Sequence, residues 1–234
     1  MSELPLRVWA VIPAAGRGER FGAGRPKQYA ELRGRALIEW SLAPFLARAD
    51  IAGVVIALVA DDPDWPRFRP ADSRLIEAPG GAERAASVGN ALDALAERGA
   101  GDSDWVLVHD AARPCLDPTD LDKLLERGRN SPDGALLAAP VDDTLKRAVG
   151  GCVVDTVERR DLWRAMTPQL FRFGPLRQAL QAAAASGIAI TDEASAIEEQ
   201  GGRPLLVQGR TDNIKVTRMA DLALADAVLA AREH

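Results

Sequence analysis

Histidine is nearly missing from this chain of 234 residues, which holds only His109 and His234. Neither a G-x-S-x-G nor an H-E-x-x-H pattern occurs, so hydrolysis by a Ser-His-Asp triad or a zinc-bound water has little to build on. Cysteine is as scarce, with Cys115 and Cys152 alone. Two thiols supply neither a disulfide framework nor a zinc site; they read as two buried small hydrophobes in a reducing cytosol. No run reaches the roughly 20 apolar residues of a membrane helix. "MSELPLRVWAVI" carries an early acid and too short an apolar stretch for a signal peptide. A surplus of positive charge is missing too. Lys and Arg number 29 against 34 Asp and Glu, for a net charge of −5 and a pI near 5.2, which argues against a broad nucleic-acid face. These absences point to a cytoplasmic protein with neither membrane nor nucleic acid as partner. Any anion it holds must be held by a local cluster of cations.

What is present is an alternating pattern. An apolar fraction of 47% and a charged fraction of 27% fit an ordinary globular protein, and the length suits one α/β domain over residues 1–234. Short Val/Ile/Leu-rich runs predict buried strands at 7–12, 53–60, 74–78, 105–112, 134–141 and 203–209. Helical spacing falls between and after them, at 36–49, 83–98, 118–128, 175–186, 192–200 and 218–233. Strands apolar on both faces that alternate with helices imply a mostly parallel sheet covered on both sides. In "PTDLDKLLERG", Thr119 or Asp120 is a candidate N-cap and Gly128 a candidate left-handed C-cap. One region breaks the alternation: "DDTLKRAVGGCVVDTVERR" (142–160) reads as a β-hairpin around Gly150-Gly151. An isolated hairpin is marginal in water, so it packs on the body of the domain or embraces a second subunit as an arm.

The densest chemistry follows the first strand. "PAAGRGERFGAGRPKQY" (13–29) combines Gly16, Gly18, Gly22 and Gly24 with Arg17, Arg20, Arg25 and Lys27. Strand, Gly-rich loop and helix aim backbone N–H groups at a phosphate. The stretch is not a Walker A loop, because Lys27 follows Pro26 and precedes Gln28. Nor is it a dinucleotide fingerprint, because Phe21 stands where the third glycine belongs. Arg20 and Lys27 could grip a polyphosphate from two sides, or the loop could simply be solvated and paired with Glu19 and Glu31.

Other stretches leave alternatives open. "EAPGGAERAASV" (77–88) is a second Gly-rich turn, with Ser87 in the first helical turn, suited to a nucleobase or ribose or to nothing in particular. "VLVHDAARP" (106–114) runs down a strand to His109, Asp110 and Arg113. Ligands of open α/β sheets collect beyond the carboxyl ends of strands, so Asp110 is a candidate metal or hydroxyl contact, or a local partner of Arg113. Thr167 and Thr191 add hydroxyls. Lys215, in "NIKVT", either points into a pocket or blunts an edge strand. A cation-rich, base-poor inventory of this kind suits phosphoryl or nucleotidyl transfer.

Taken together and in order, "PAAGRGERFGAGRPKQY", "GGAERAASV", "VLVHDAARPC", "APVDDTLKR", "TVERRDLWRAMTPQLF", "TDEASA" and "GRTDNIKVT" closely resemble the 2-C-methyl-D-erythritol 4-phosphate cytidylyltransferases of the non-mevalonate isoprenoid pathway. The likeness runs from about residue 7 to 230. It implies a Rossmann-like α/β sheet with a protruding hairpin arm, and a homodimer joined through that arm. It also implies the reaction of CTP with the methylerythritol phosphate in the presence of Mg²⁺. Carried over by motif, Arg20 and Lys27 grip the triphosphate and Lys215 draws the two phosphates together. Arg159 and Thr167 reach the acceptor phosphate of the partner subunit. Asp110, Arg113, Thr144 and Thr191 contact the acceptor, and Ala14, Ala15, Gly16, Gly81 and Ser87 hold the cytidine. The triphosphate supplies most ligands of the metal, with Asp110 its neighbour. Ala82 departs from the pattern, standing where some relatives carry an acid. Two rival readings are a cytidylyltransferase for another polyol phosphate, such as ribitol 5-phosphate, and a non-catalytic nucleotide-binding domain.

Overall fold

The first strand, β1 (Val8–Pro13), sets the layering of the whole molecule. Val8, Ala10 and Ile12 face one apolar cluster while Trp9 and Val11 face another, because successive side chains of a strand point to opposite sides. Both sides are dry, so the strand is apolar throughout. The computed structural model describes residues 6–16, 21 and 26–232. A 3-10 turn at Lys27–Tyr29 precedes the small hairpin β2 (Glu31–Leu32) and β3 (Arg35–Ala36), and then α1 (Leu37–Leu46). There follow β4 (Ile51–Leu58), α2 (Trp65–Phe68), β5 (Leu75–Pro79), α3 (Arg84–Glu97), β6 (Trp105–Val108) and α4 (Pro118–Gly128). Next come β7 (Ala135–Pro140), β8 (Leu145–Val149), β9 (Cys152–Val157) and β10 (Trp163–Arg172). The chain closes with α5 (Phe173–Ser186), α6 (Glu193–Glu199), β11 (Leu205–Gln208) and α7 (Ala220–Arg232).

Seven of the described strands form one sheet in the order β11-β7-β10-β6-β1-β4-β5. All neighbours run parallel except β10, which is antiparallel to both β6 and β7. Ile38, Leu42 and Phe45 of α1 and Leu121, Leu124 and Leu125 of α4 cover one face. Val88, Leu92 and Leu95 of α3, Leu176 and Leu180 of α5 and Ile197 of α6 cover the other. From β1 the chain moves outward through β4 and β5, then returns to place β6 on the opposite side of β1. That reversal opens a crevice at the carboxyl ends of β1 and β6, where doubly wound sheets hold ligands.

All six expected strands and all six expected helices form, with shifted ends. The 105–112 run stops being a strand after Val108, and β10 was not foreseen. Pro168 interrupts its pattern, and its pairing with β7 shifts register between Ala165 and Gln169, which removes the regular alternation that marks a strand. The N-cap of α4 is Asp117, whose carboxylate accepts from the Thr119 N–H, rather than Thr119 or Asp120. Gly128 does not form a left-handed cap, for the helix continues through it to a right-handed Arg129. Its missing side chain matters for packing instead: a Cβ there would lie 2.9 Å from Leu170 Cδ2. Cys115 is buried as expected, but Cys152 is exposed. The hairpin of β8 and β9 forms around Gly150 and Gly151, with φ of 57° and 82°, the backbone a tight hairpin turn demands. It pairs with no other described strand and leaves Val149, Val153 and Val154 exposed. Among the described residues no helix is long and apolar enough to cross a membrane.

Candidate active site

The turn after β1 is tied to the neighbouring strand by the Ala14 N–H, which donates to Ala57 O at 2.8 Å. The Gln28 side chain then bonds Ala14 O at 2.9 Å, so the 3-10 turn carrying Lys27 is fastened back onto the end of β1. The second Gly-rich turn packs against the first so closely that a Cβ on Gly80 would fall 2.1 Å from that of Ala15; only glycine permits the approach. Within this turn the Gly81 N–H donates to Ser87 Oγ at 2.9 Å, and the Ser87 hydroxyl donates to Glu83 O at 3.1 Å. Ser87 thus holds the turn in shape. Together these segments wall a cavity of about 180 Å³, lined by Ala14, Ala15, Gly16, Lys27, Gly81, Ser87, Asp110 and Lys215 among others. Eight residues singled out along the sequence meet here.

Asp110 is the electrostatic centre. It lies just past β6 and is nearly buried, at 7% exposure. Its Oδ2 takes Lys215 Nζ at 2.8 Å and faces Arg113 Nε at 3.6 Å, while Oδ1 takes Arg84 Nε at 2.9 Å. Burial by itself would raise its carboxyl, but Arg84 and Lys215, with Arg113 behind them, outweigh that and hold it far below the ordinary carboxylate range. Arg84 also grips the fully buried Glu193 through both terminal nitrogens, at 2.7 and 3.0 Å. Burial raises the Glu193 carboxyl, against the opposing pull of Arg84. Lys215 sits on an extended, non-strand segment that Val216 ties to Ala112 O at 2.8 Å. It points into the pocket rather than along a sheet edge.

The other expected residues divide into three groups. Thr167 is buried under the site, where its hydroxyl accepts from the Asp110 N–H at 3.0 Å and lies 3.0 Å from His109 Nδ1. Arg113 is buried beside it and donates to Asn213 O at 2.8 Å. Thr144, Arg159 and Thr191 are exposed and do not line the cavity; Thr144 and Arg159 flank the hairpin, and Thr191 precedes α6. Arg20 lies outside the described residues. His109 does not line the cavity. His109 is fully buried, with one ring nitrogen against Thr167 Oγ1 and the other 3.0 Å from Arg113 O. Burial lowers its pKa to about 4. Arg84, Glu193 and the buried Asn213, which donates to Thr167 O at 2.9 Å, were not foreseen as site residues. All three stand inside motifs quoted above, but nothing in their spacing marks them.

A Gly-rich turn at the switch point of a doubly wound sheet, facing a cavity on which Lys27, Arg84 and Lys215 converge, is the arrangement of a nucleotidyltransferase. Comparison with known proteins makes the class particular. The IspD family model, 2-C-methyl-D-erythritol 4-phosphate cytidylyltransferase, matches residues 8–231. A 2-C-methyl-D-erythritol 4-phosphate cytidylyltransferase of Pseudomonas putida (strain GB-1) is 58% identical over 216 residues, 92% of each chain. Its counterpart in Ectopseudomonas mendocina (strain ymp) is 54% identical over 94% of each. Among solved structures, a 4-diphosphocytidyl-2C-methyl-D-erythritol synthase superposes with a TM-score of 0.85 at 38% identity, covering 97% of this chain and 100% of the other. The Francisella tularensis cytidylyltransferase superposes with a TM-score of 0.83 at 33% identity, over 95% and 99%. The chain belongs to the 2-C-methyl-D-erythritol 4-phosphate cytidylyltransferase family, and it is an enzyme of the nucleotidyltransferase class.

Proposed function

We infer that this chain transfers the cytidylyl group of CTP to 2-C-methyl-D-erythritol 4-phosphate, giving 4-diphosphocytidyl-2-C-methyl-D-erythritol and pyrophosphate in isoprenoid synthesis. The observation that carries the reading, beside family membership, is the convergence of Lys27, Lys215 and Asp110 on one cavity with the Gly-rich turns. The nucleophile is a phosphate oxygen, already anionic at pH 7 because the second pKa of a phosphomonoester is about 6. No general base is needed, in keeping with a buried, neutral His109. The obstacle is repulsion between two polyanions. At about 4 Å each like-charge contact costs roughly 1 kcal/mol in water and about 4 kcal/mol at an effective dielectric of 20. In this reading Arg20 and Lys27 offset the charge on the triphosphate and the departing pyrophosphate, while Lys215 brings donor and acceptor phosphates together. Ala14, Ala15, Gly16, Gly81 and Ser87 hold the cytidine, and Asp110, Arg113, Thr144 and Thr191 orient the acceptor.

The family implies Mg²⁺, but the donor set here does not make a protein-held cation site. Both oxygens of Asp110 are committed to Arg84 and Lys215, and no group of three or more His, Cys, Asp or Glu among the described residues is arranged to hold a metal. We assign the divalent cation to the nucleotide's phosphates. We further assign the whole chain to a single domain whose arm at about 142–160 joins a homodimer. Arg159 then serves the partner's acceptor phosphate, whereas Thr167, expected to do the same, is buried beneath its own chain's site and accepts from the Asp110 N–H. Three apolar side chains on the arm, Val149, Val153 and Val154, stand in water in the single chain; adjacent strand residues face opposite sides, so both faces of the arm carry exposed valine, which suits an arm embraced by a second chain. Two free thiols, Cys115 and Cys152, suit the cytoplasm.

The test is pyrophosphate release from each of the four ribonucleoside triphosphates, with methylerythritol phosphate and ribitol 5-phosphate offered separately and in competition. CTP with methylerythritol phosphate is expected to dominate. Preference for ribitol 5-phosphate would transfer the assignment to that acceptor, and CTP binding without pyrophosphate release would leave a non-catalytic domain.

A further inference from the structure

Beneath the cavity lies a carboxylate for which the transfer reaction, as assigned above, has no use. Glu193 is 0% exposed at the first position of α6. A buried carboxylate is costly unless paired and hydrogen-bonded. This one is also prevented from relaxing toward water. The Gln169 side chain, from β10, donates to Asp192 Oδ2 at 2.8 Å and accepts from the Ala194 N–H at 2.8 Å, so both residues flanking Glu193 are pinned. Its two oxygens take the terminal nitrogens of Arg84 at 2.7 and 3.0 Å, and the remaining Nε–H of Arg84 goes to Asp110 Oδ1 at 2.9 Å. The guanidinium is therefore a planar connector between two carboxylates. It leaves Asp110 Oδ2 turned toward Lys215 Nζ, 2.8 Å away. Arg84 opens α3, where the positive end of the helix dipole disfavours a cation. Local structure gives no reason for a guanidinium at that position; Glu193 and Asp110 do.

We propose that Glu193 is a positioning residue for the phosphate transfer: through Arg84 it fixes the carboxylate of Asp110, and through Asp110 it fixes the ammonium of Lys215 at the cavity. The proposal rests on the transferase reading and deepens it. An ammonium is a point charge on a mobile four-carbon stem, so Lys215 acts at a defined place only if something holds it. Asp110 holds it well only while its own carboxylate is held. A misplacement of about 1 Å at a reacting group can cost on the order of 10²-fold in rate, which gives a remote tether a large lever. The connector must be arginine, because an ammonium cannot present one flat fork to two carboxylates at once.

Steady-state pyrophosphate release, measured beside thermal melting of the same samples, tests this. Glu193→Gln is expected to lower kcat about tenfold, with the KM for CTP within about threefold of wild type, well below its melting temperature. If Glu193→Gln does not fold, Glu193→Asp keeps the charge and withdraws it by one methylene; about a threefold loss of kcat is then expected. In a Lys215→Gln background, followed by single-turnover measurement with labelled CTP, Glu193→Gln should add less than about twofold, since residues in one chain of contacts are not additive. A lowered melting temperature with unchanged kcat would reduce Glu193 to packing and overturn the proposal, as would an undiminished further loss in the Lys215→Gln background. A wild-type enzyme without turnover overturns the transferase reading and this proposal with it. An active wild type with an indifferent Glu193 overturns this proposal alone.

Discussion

The cavity floor and the hairpin follow opposite rules. Under the cavity, Asp110 and Glu193 are each answered by cations of the same chain, at 2.7 to 3.0 Å, and almost no side-chain surface of either acid reaches water. On the hairpin, three valines face solvent and β8 and β9 pair only with each other among the described strands. The first region is complete within one chain. The second leaves apolar side chains in water on two strands that alone are marginal there, which is why a second chain is proposed to cover it. In the proposed reading phosphate neutralisation belongs to the cavity, while Arg159, assigned there to the acceptor, is carried on the exposed region. In a homodimer the two would be brought together from different chains.

Substitutions can break that contrast or sharpen it. The largest effect belongs to the cations assigned to the triphosphate: Lys27→Ala or Arg20→Ala should lower turnover on the order of 10²-fold or more, as loss of a preorganised charge does, with unchanged circular dichroism. Near-normal turnover in either variant would dissolve the distinction between the regions. Asp110→Asn should cost stability as well as activity. Removing one partner of a buried ion pair costs about 3–5 kcal/mol, and because Arg84 and Lys215 keep part of their surface in water we expect about 2–3 kcal/mol by denaturant unfolding. That loss should depend on pH with a definite sign. The folded carboxyl sits below its ordinary value, so the unfolded chain, with an aspartate pKa near 4, takes up the proton first. The stabilisation is fully present above about pH 5 and fades as the pH falls toward the folded value. A wild-type advantage over Asp110→Asn that stays constant from about pH 6 to pH 3 would contradict the ion-pair account.

The arm gives smaller effects of another kind. Arg159→Ala should raise the KM for the acceptor about tenfold, the order expected for one charged hydrogen bond, while leaving the KM for CTP nearly unchanged. Equal increases for both substrates would remove Arg159 from the acceptor phosphate. Smallest in stability is Val153→Asp or Val154→Asp. On an exposed strand either should change the unfolding free energy of the single chain by about 0.5 kcal/mol or less, yet shift the sedimenting species from dimer to monomer. An undisturbed dimer would show that the arm is not the interface.

The chemical kind of this protein was legible before its shape. Apolar runs with a helix after nearly every one gave the layered sheet, since period and length are local quantities. The convergence of Lys27, Asp110 and Lys215 was legible only as a list of motifs. β10 stayed hidden because Pro168 and a register shift break its alternation, and Gly128 looked like a cap because its real reason, the approach of Leu170, comes from another strand. Arg84 and Glu193 carried no signal at all. They are 109 residues apart, and each alone reads as a solvated charge.

By itself, then, the order of residues decided the α/β layering, the tight hairpin at Gly150-Gly151 and a chemistry of cations without a base, because each follows from a neighbour's size, charge or backbone freedom. Only the folded chain decided that Lys215 meets Asp110, that Arg84 joins two carboxylates, and that His109 is sealed away. Those pairings depend on which strands lie side by side and how closely their ends pack, and burial then turns a chance encounter of charges into a fixed one.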